Sequence, residues 1–418
     1  MTRGWAAAAV LACGCSAPQG PAVLELWAMG REGEVVAELA ADFEASHPGV
    51  RVHVQQLPWL SAHEKLLTAF VGDATPDVAQ MGNTWIPEMA ALGALQPLDA
   101  MAASSKAVPR DDYFQGIWDT NVAGGALYGV PWYVDTRLLF YRSDLLAQAG
   151  YDHPPRTWDE WLKMLEAIQR RPGPEHYAVL LPLNEFEPLL VLGLNADEPL
   201  LRDGGRFGNF RSPGFRRSMG MYLRMFEEKL APRATNTQIA NVWNEFGRGY
   251  FSFYITGPWN IGEFKRRLPA ELQGAWATAP MPGPEGPGVS SAGGSSLVVF
   301  RRSKHPREAW QLIEMLSSPE VQRRFYALSG NLPPRRTSWQ DPALQGDERA
   351  AAFFAQLERV KPVPQVPEWE RIATELRLVG EMAVHGQLTV DAAAAELDAR
   401  ADRILEKRRW MLDREARR

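Results

Sequence analysis

From residue 22 onward the chain alternates strand-type and helix-type apolar patterns three times in succession, and this alternation restricts its fold more than any other feature. "AVLELWAM" has the character of a strand, and "EGEVVAELAADFEASHPGV" places apolar residues at helical spacing up to the stop signal His47-Pro48-Gly49. "VRVHVQQL" then alternates at period two as a second strand. "SAHEKLLTAFVGD" predicts a helix capped by Ser61 and ended by Gly72-Asp73. "PDVAQM" and "TWIPEMAALGAL" supply a third strand and a third helix. The order β-α-β-α-β-α predicts an α/β sheet whose ligand-binding loops follow the strand C-termini. A chain of 418 residues also exceeds what one hydrophobic core serves, so two or three domains are expected.

The second half continues in kind. "TWDEWLKMLEAIQR" predicts a helix with Thr157 at its N-cap and Glu160 at capping-box spacing. "SPGFRRSMGMYLRMFEEKL" and "NVWNEFGRG" have helical patterns, and "YFSFYI" predicts a strand that stops at Thr256-Gly257-Pro258. The Pro/Gly-rich "APMPGPEGPGVSSAGGSS" is a loop ahead of the strand "LVVF". The C-terminal region is mostly helix, most strongly over "TVDAAAAELDARADRILEKRRW". No internal repeat and no long disordered tract is evident.

Composition narrows the function. With 45% hydrophobic and 23% charged residues and a net charge of −5, the chain carries no electrostatic signature of a nucleic-acid partner. Fifteen tryptophans are unusual; most serve packing, but indole faces also stack on sugars and other planar or apolar ligands, so a Trp-rich cleft is expected. The two cysteines, Cys13 and Cys15, both lie in the first fifteen residues, and the body therefore has no disulfide framework, thiolate metal site or cysteine nucleophile. "MTRGWAAAAVLACGCSAPQG" has one basic residue, a short apolar stretch and a small-residue end, the layout of an export signal. Cysteine after such a stretch resembles a bacterial lipoprotein cleavage site, at Cys15 or at Cys13. A plain cleaved signal with incidental cysteines is the alternative. No later apolar run is long enough to span a membrane, so residues 1–20 are assigned to a signal and tether.

Catalytic motifs are absent. His63-Glu64-Lys65-Leu66-Leu67 begins like a zinc-protease helix but lacks the second histidine one turn later. No nucleophile elbow, phosphate loop or dinucleotide fingerprint follows a strand, and no cofactor is implied. Glycoside hydrolysis stays open, because two distant carboxylates leave no local signature.

"YGVPWYVDTRLLFYRSDLL", residues 128–146, reads as an apolar strand interrupted by Trp132, Tyr133, Asp135 and Arg137. Period-two alternation allows an ordinary strand with one exposed face. The alternative is a segment crossing between two domains with its polar residues facing a cleft. Other polar or aromatic residues recur just after strands: Glu32 after the first, Gly82-Asn83 after the third, Gly257-Pro258-Trp259-Asn260 after "YFSFYI", and Gly293-Gly294-Ser295 ahead of "LVVF". Their common placement at strand ends points to a shared binding site.

In order along the chain, "FEASHPGV", "KLLTAFVGDATPDVAQM", "LGALQPLD", "LYGVPWYVDTRLLFYRSDLLAQAGY", "PPRTWDEW", "FSFYITGPWNIGEF", "GGSSLVVF" and "LSSPEVQRRFYALSGNLPPRR" resemble the extracellular solute-binding proteins of carbohydrate-importing ABC systems, in the branch of maltose- and trehalose-binding proteins. The resemblance implies a two-lobed periplasmic-binding-protein fold, with hinge-linked α/β domains and a largely helical C-terminal region. It divides the chain into an N-terminal lobe of residues 21–133 with about 284–331, and a C-terminal lobe of 134–283 with about 332–418. It makes residues 128–146 the first crossing between lobes.

By the same resemblance Glu32 matches a sugar-binding acid, Tyr133 and Asp135 a crossing-strand pair, Gly294 a backbone contact, and Trp59 and His63 contacts on the loop and helix after the second strand. Four positions depart from the family pattern. Gly82, beside Asn83, replaces an acid. Ser295 replaces an aromatic residue, and Gly257 replaces a tryptophan, with Trp259 two residues on. Pro362, Val363 and Pro364 stand where an arginine is expected, although Trp369 keeps an aromatic ring nearby.

The implied function is capture of a disaccharide such as trehalose or maltose and delivery to ABC-transporter permease subunits. The protein would be a periplasmic or cell-surface monomer, exported and touching the membrane only through its lipid anchor, with no nucleic-acid partner and no catalysis. The alternatives are another oligosaccharide, a glycerol phosphodiester, or, from another class, a secreted glycoside hydrolase.

Overall fold

The computed structural model describes residues 20–415, apart from 174 and 240, together with residue 417. The signal and the lipidation site expected at Cys15 or Cys13 lie outside the described residues.

The elements that position the site are, in chain order, β1 (Ala22–Met29), α1 (Gly30–Ser46), β2 (Val50–Leu57), α2 (Trp59–Val71), β3 (Val78–Gly82), α3 (Ile86–Ala91), β4 (Gly129–Val134) and β5 (Leu138–Arg142). There follow α4 (Trp158–Gln169), β6 (Tyr177–Leu180), α5 (Glu187–Gly193), α6 (Pro213–Glu227), β7 (Phe251–Thr256), α7 (Trp259–Arg267) and β8 (Trp276–Ala279). The last are β9 (Gly294–Val299), α8 (Pro306–Leu316), α9 (Pro319–Ser329), α10 (Glu348–Leu357), α11 (Trp369–Val384) and α12 (Val390–Ile404).

Two sheets organise the chain. The first has the order β2-β1-β3-β9-β4, with β1 parallel to β2 and β3, and β9 antiparallel to β3 and β4. The second has the order β8-β5-β7-β6, with β7 parallel to β6 and antiparallel to β5. Exposure along the strands follows how each is covered. At one edge of the first sheet, β2 alternates between buried or half-buried valines and exposed Arg51 and His53, whereas every residue of β4, at the other edge, and of the interior strand β7 is buried. Helix α1 turns Val35, Val36, Leu39, Ala40 and Phe43 onto the first sheet, the stripe that its spacing predicts. Burying Phe43 alone contributes about 1.5–3 kcal/mol.

Each sheet has its own core. Leu24, Leu26, Val78, Val130, Leu297 and Phe325 pack around the first; Trp161, Leu165, Val179, Met219, Phe253 and Leu376 pack around the second. The chain passes between them at three adjacent segments. Val134 N–H donates to Leu332 O at 2.9 Å, Asp135 N–H to Gly293 O at 2.9 Å, and Thr136 Oγ1 to Ser291 O at 2.8 Å. The stretch 128–146 therefore ends one sheet with β4 and starts the other with β5, which decides between its two readings in favour of a crossing. Residues 288–291 still bond to the second unit, through Gly288 N–H to Met281 O and Ser290 N–H to Arg359 O. The return expected near residue 284 lies ahead of this point.

Two capping expectations turn out differently. Thr157 Oγ1 accepts from Glu160 N–H at 3.2 Å and so caps α4, while the Glu160 carboxylate reaches one residue past the cap to accept from Arg156 N–H at 2.6 Å. Ser61 is no cap, because α2 starts two residues earlier at Trp59 behind Pro58, and the Ser61 hydroxyl turns back to the Pro58 carbonyl. Proline fixes the extended conformation that an N-cap requires, and this outweighs the serine signal.

Candidate functional site

A cavity of ≈500 Å³ lies where the C-terminal ends of β1, β3 and β4 meet the N-terminal ends of α5, α7 and α11 of the second unit. Its first-unit wall is built from Glu32, Trp59, Asn83, Trp85 and Tyr133. Glu32 sits in the first turn of α1, where no side chain caps the helix, so the helix N-terminus favours its negative charge. The carboxylate is 8% exposed and accepts from Asn331 Nδ2 at 2.8 Å. Trp59 and Trp85 meet edge to face, with ring centroids 5.9 Å apart. Asn83 is buried and donates to Thr120 Oγ1 at 3.1 Å.

Two glycines let the crossing segments come together. A Cβ at Gly293 would lie 2.0 Å from Asp135 O, and one at Gly294, whose φ is +148°, would lie 2.2 Å from Tyr133 O. Only glycine fits this approach. Both glycines line the cavity, and Tyr133 and Asp135 stand opposite them.

The second-unit wall is charged. Arg137 donates to Asp135 through Nη1, and through Nη2 to Glu187 Oε1 at 2.8 Å. Its guanidinium lies over the Trp259 ring, 4.7 Å from the centroid. Glu185 lies beside this group and accepts from Asn236 Nδ2. Four carboxylates (Glu32, Asp135, Glu187 and Glu370) and one cation, Arg137, line the cavity. Desolvation raises the Asp135 carboxyl above its ordinary range in spite of Arg137, and burial likewise raises Glu185 and Glu370. Burial beside Glu32 pushes the Tyr133 hydroxyl well up, so it stays a neutral donor. Such a cavity offers hydrogen-bond acceptors to hydroxyl groups and aromatic faces to C–H surfaces, and it repels anions.

Of the residues singled out in the sequence, Glu32, Trp59, Gly82, Asn83, Tyr133, Asp135, Trp259 and Gly294 line this cavity. Three do not. Trp369 is 1% exposed in the second core; it begins α11, and one helical step turns its successor Glu370 into the cavity instead. Ser295 is 1% exposed and accepts from Gln80 Nε2 at 3.2 Å behind the wall. His63 lies behind Trp85, with ring centroids 5.0 Å apart, and its Nε2 bonds Glu88 Oε2 at 2.7 Å. Sequence reasoning missed Trp85, Glu187 and Glu370 as lining residues, and it placed Arg137 in the cleft-facing stretch without giving it a binding role. A signal existed for one of them: "LNEFEPLL" sets two acids into an apolar stretch, and acids so placed need a partner such as Arg137.

Among the described residues no helix is long and apolar enough to cross a membrane. A family model described as bacterial extracellular solute-binding protein matches residues 29–323. Among solved structures, the sugar-binding protein MalE from the phytopathogen Xanthomonas citri has 55% sequence identity and a TM-score of 0.91, over 94% of this chain and 99% of that one. A putative binding protein of Brucella abortus (strain 2308) is 27% identical over 387 residues, covering 90% of this chain and 91% of its own. The diacetylchitobiose binding protein DasA of Streptomyces coelicolor is 26% identical over 344 residues, covering 81% and 78%.

Proposed function

Because the chain belongs to the bacterial extracellular solute-binding proteins, we propose that it captures a neutral sugar, first a disaccharide such as trehalose or maltose, between its two units and hands it to the permease of an ABC importer. The observation that carries this reading is the pairing of carboxylate and amide acceptors with the rings of Trp59, Trp85 and Trp259 in one interlobe cavity. Acceptors satisfy sugar hydroxyls, and indoles cover the apolar faces of the rings. The similarity to a sugar-binding protein at 55% identity supports the ligand class. A change of interlobe angle at the three crossing segments would close the cavity, exclude water and strengthen those bonds.

A glycerol phosphodiester fits less well, since four carboxylates against one cation repel a phosphate. A longer oligosaccharide remains compatible with the same chemistry. On this reading the protein works as a monomer in the periplasm or at the cell surface, held by a lipid on Cys15 or Cys13, and performs no catalysis.

Thermal unfolding of the signal-free protein against trehalose, maltose, sucrose, maltotriose, glucose and glycerophosphodiesters tests the proposal. A ligand at about one hundred times its Kd adds about 2.7 kcal/mol to the native state, read as a rise of several degrees in Tm. A rise for one or two disaccharides supports the reading; a rise for the phosphodiesters alone overturns the ligand class. Steady product release from a chromogenic glycoside would replace transport by hydrolysis.

A further inference from the structure

One of the fifteen tryptophans serves neither a core nor the cleft. Trp410 is 56% exposed, more open than Trp59 at 38% or Trp259 at 40%, both of which line the cavity, and its neighbour Met411 is 45% exposed. Both stand on α13 (Glu406–Glu415), which follows Leu405 of the second core.

The docking of α13 decides which face points out. Arg409 donates through Nη1 to Arg206 O at 3.0 Å and through Nη2 to Asp402 O at 2.8 Å, and its guanidinium lies 4.8 Å from the centroid of the Phe207 ring. One turn later Asp413 accepts from Arg206. Arg409 and Asp413, four residues apart, therefore hold one side of the helix on the hairpin of residues 201–208. Lys407, Trp410, Met411 and Arg414 follow the i, i+3, i+4, i+7 spacing and fall in an arc of about 100° on the other side. All four are exposed. The acids of the segment, Glu406, Asp413 and Glu415, have helical positions outside that arc.

The stripe carries one sign of charge. Residues 406–418 hold six cations and three acids in a chain whose net charge is −5. Among the described residues neither Lys407 nor Arg414 forms an ion pair; Arg414 instead lies over the Trp410 ring, 4.7 Å from its centroid. Such a stripe combines an indole that settles at headgroup depth, a flexible thioether that enters the acyl boundary, and long cations that reach phosphate oxygens. A protein partner would need acids placed to match each cation, whereas a bilayer of anionic headgroups meets them in any register.

We propose that α13 is a membrane-surface contact, in which Trp410 and Met411 enter the interface of a bilayer bearing anionic headgroups while Lys407, Arg414 and the arginines that follow meet its phosphates. The contact sets the second unit on the membrane and is separate from the cleft, since no lining residue of the cavity belongs to α13. It does not depend on which sugar the cleft takes, and it adds a contact beside the lipid expected at Cys15 or Cys13.

Co-sedimentation with vesicles tests it, using the signal-free chain, which carries no lipid of its own. Vesicles of phosphatidylcholine and phosphatidylglycerol in equal parts should retain the wild type. Vesicles of phosphatidylcholine alone should retain it at least about tenfold less, since each cation at an anionic surface is worth about fivefold in partition. Raising the salt from about 0.01 M to about 1 M shortens the Debye length from about 30 Å to about 3 Å and should release the bound protein. Lys407→Glu with Arg414→Glu should lower partition onto the mixed vesicles by about tenfold or more, and Lys407→Gln with Arg414→Gln should fall between that pair and the wild type. Tryptophan emission of the wild type should shift to the blue on mixed vesicles, and Trp410→Ala should remove the shift along with much of the binding. Unchanged Tm identifies folded variants.

No retention on mixed vesicles at low salt, or equal retention on both kinds, overturns the proposal. Retention that survives Lys407→Glu with Arg414→Glu assigns the contact to another surface and does the same, as does an undiminished emission shift in Trp410→Ala. Retention on cell membranes that trypsin abolishes, with none on protein-free vesicles, would give the stripe to a protein partner instead. Calorimetry with trehalose and maltose on the same proteins reports on the cleft alone, so a failure of this contact and a failure of the sugar reading are seen separately.

Discussion

Asn331 Nδ2 donates to Glu32 Oε1 at 2.8 Å, joining the first turn of α1 to a residue 299 positions later, at the point where the chain leaves the first unit. One oxygen of a carboxylate in the cavity wall is thereby fixed. Asn331→Ala should lower sugar affinity by about 1 kcal/mol through lost orientation of the acceptor. Asn331→Asp should lower it further, because two carboxylates would then share a hydrogen-bond distance. Calorimetric Kd values for the three proteins decide this; equal values would detach Glu32 from binding.

Asp135 separates binding from stability. Asp135→Ala removes a charge-assisted acceptor from the cavity, and an affinity loss of about 1–3 kcal/mol is expected. Arg137 keeps Glu187 at 2.8 Å, so no unpaired cation is left and Tm should fall only slightly. A large drop in Tm with unchanged affinity would reverse the assignment and make Asp135 a structural partner of Arg137.

Gln80 supports the wall without touching the ligand space. Its Oε1 accepts from Met29 N–H at 2.7 Å, and its Nε2 donates to Tyr133 Oη at 3.1 Å and Ser295 Oγ at 3.2 Å, all buried. Gln80→Ala leaves the buried Met29 N–H without its acceptor and takes a donor from Tyr133 and Ser295, and a destabilisation of about 2 kcal/mol or more is expected. Urea unfolding measures it as a lower midpoint at unchanged slope. A loss under half that size would mean that water replaces the amide.

The alternation at the start of the chain was a sound guide because each element buries a face with the period that the sequence displays. The β1-α1-β2-α2-β3 order and the amphipathic stripe of α1 are both present as read. The crossing at residues 134–138 was legible as one of two readings, and the hydrogen bonds to Gly293 and Leu332 supplied the choice. The site was harder to read, since cavity walls are made by residues distant in sequence. Trp369 and Glu370 illustrate the limit: neighbours on a helix point about 100° apart, and no local pattern says which one meets the first unit. Ser295 shows another limit. A polar residue at a strand start looks like a ligand contact until Gln80, 215 residues away, is seen to take its hydroxyl. Gly257 reads alone as a lost aromatic, yet the Trp259 ring occupies its place.

His63 gives the fold a pH-dependent element. The hydrogen bond from its Nε2 to Glu88 raises its pKa above the ordinary 6.5, against the opposing effect of burial, and Glu370 from α11 and Glu64 on its own helix add to the rise. The folded state therefore holds the proton more tightly than the unfolded chain. That stabilisation is complete below the unfolded value near 6.5 and disappears as pH rises through the higher folded value. His63→Gln keeps a neutral donor and removes the titration. The difference in unfolding free energy between wild type and variant should be largest at about pH 5.5 and shrink by about pH 8.5, a window that brackets the ordinary histidine range. Taking the difference at each pH removes the titration of groups shared by both proteins. Urea melts across that window measure it, and a pH-independent difference would reduce the His63–Glu88 pair to a neutral hydrogen bond behind Trp85.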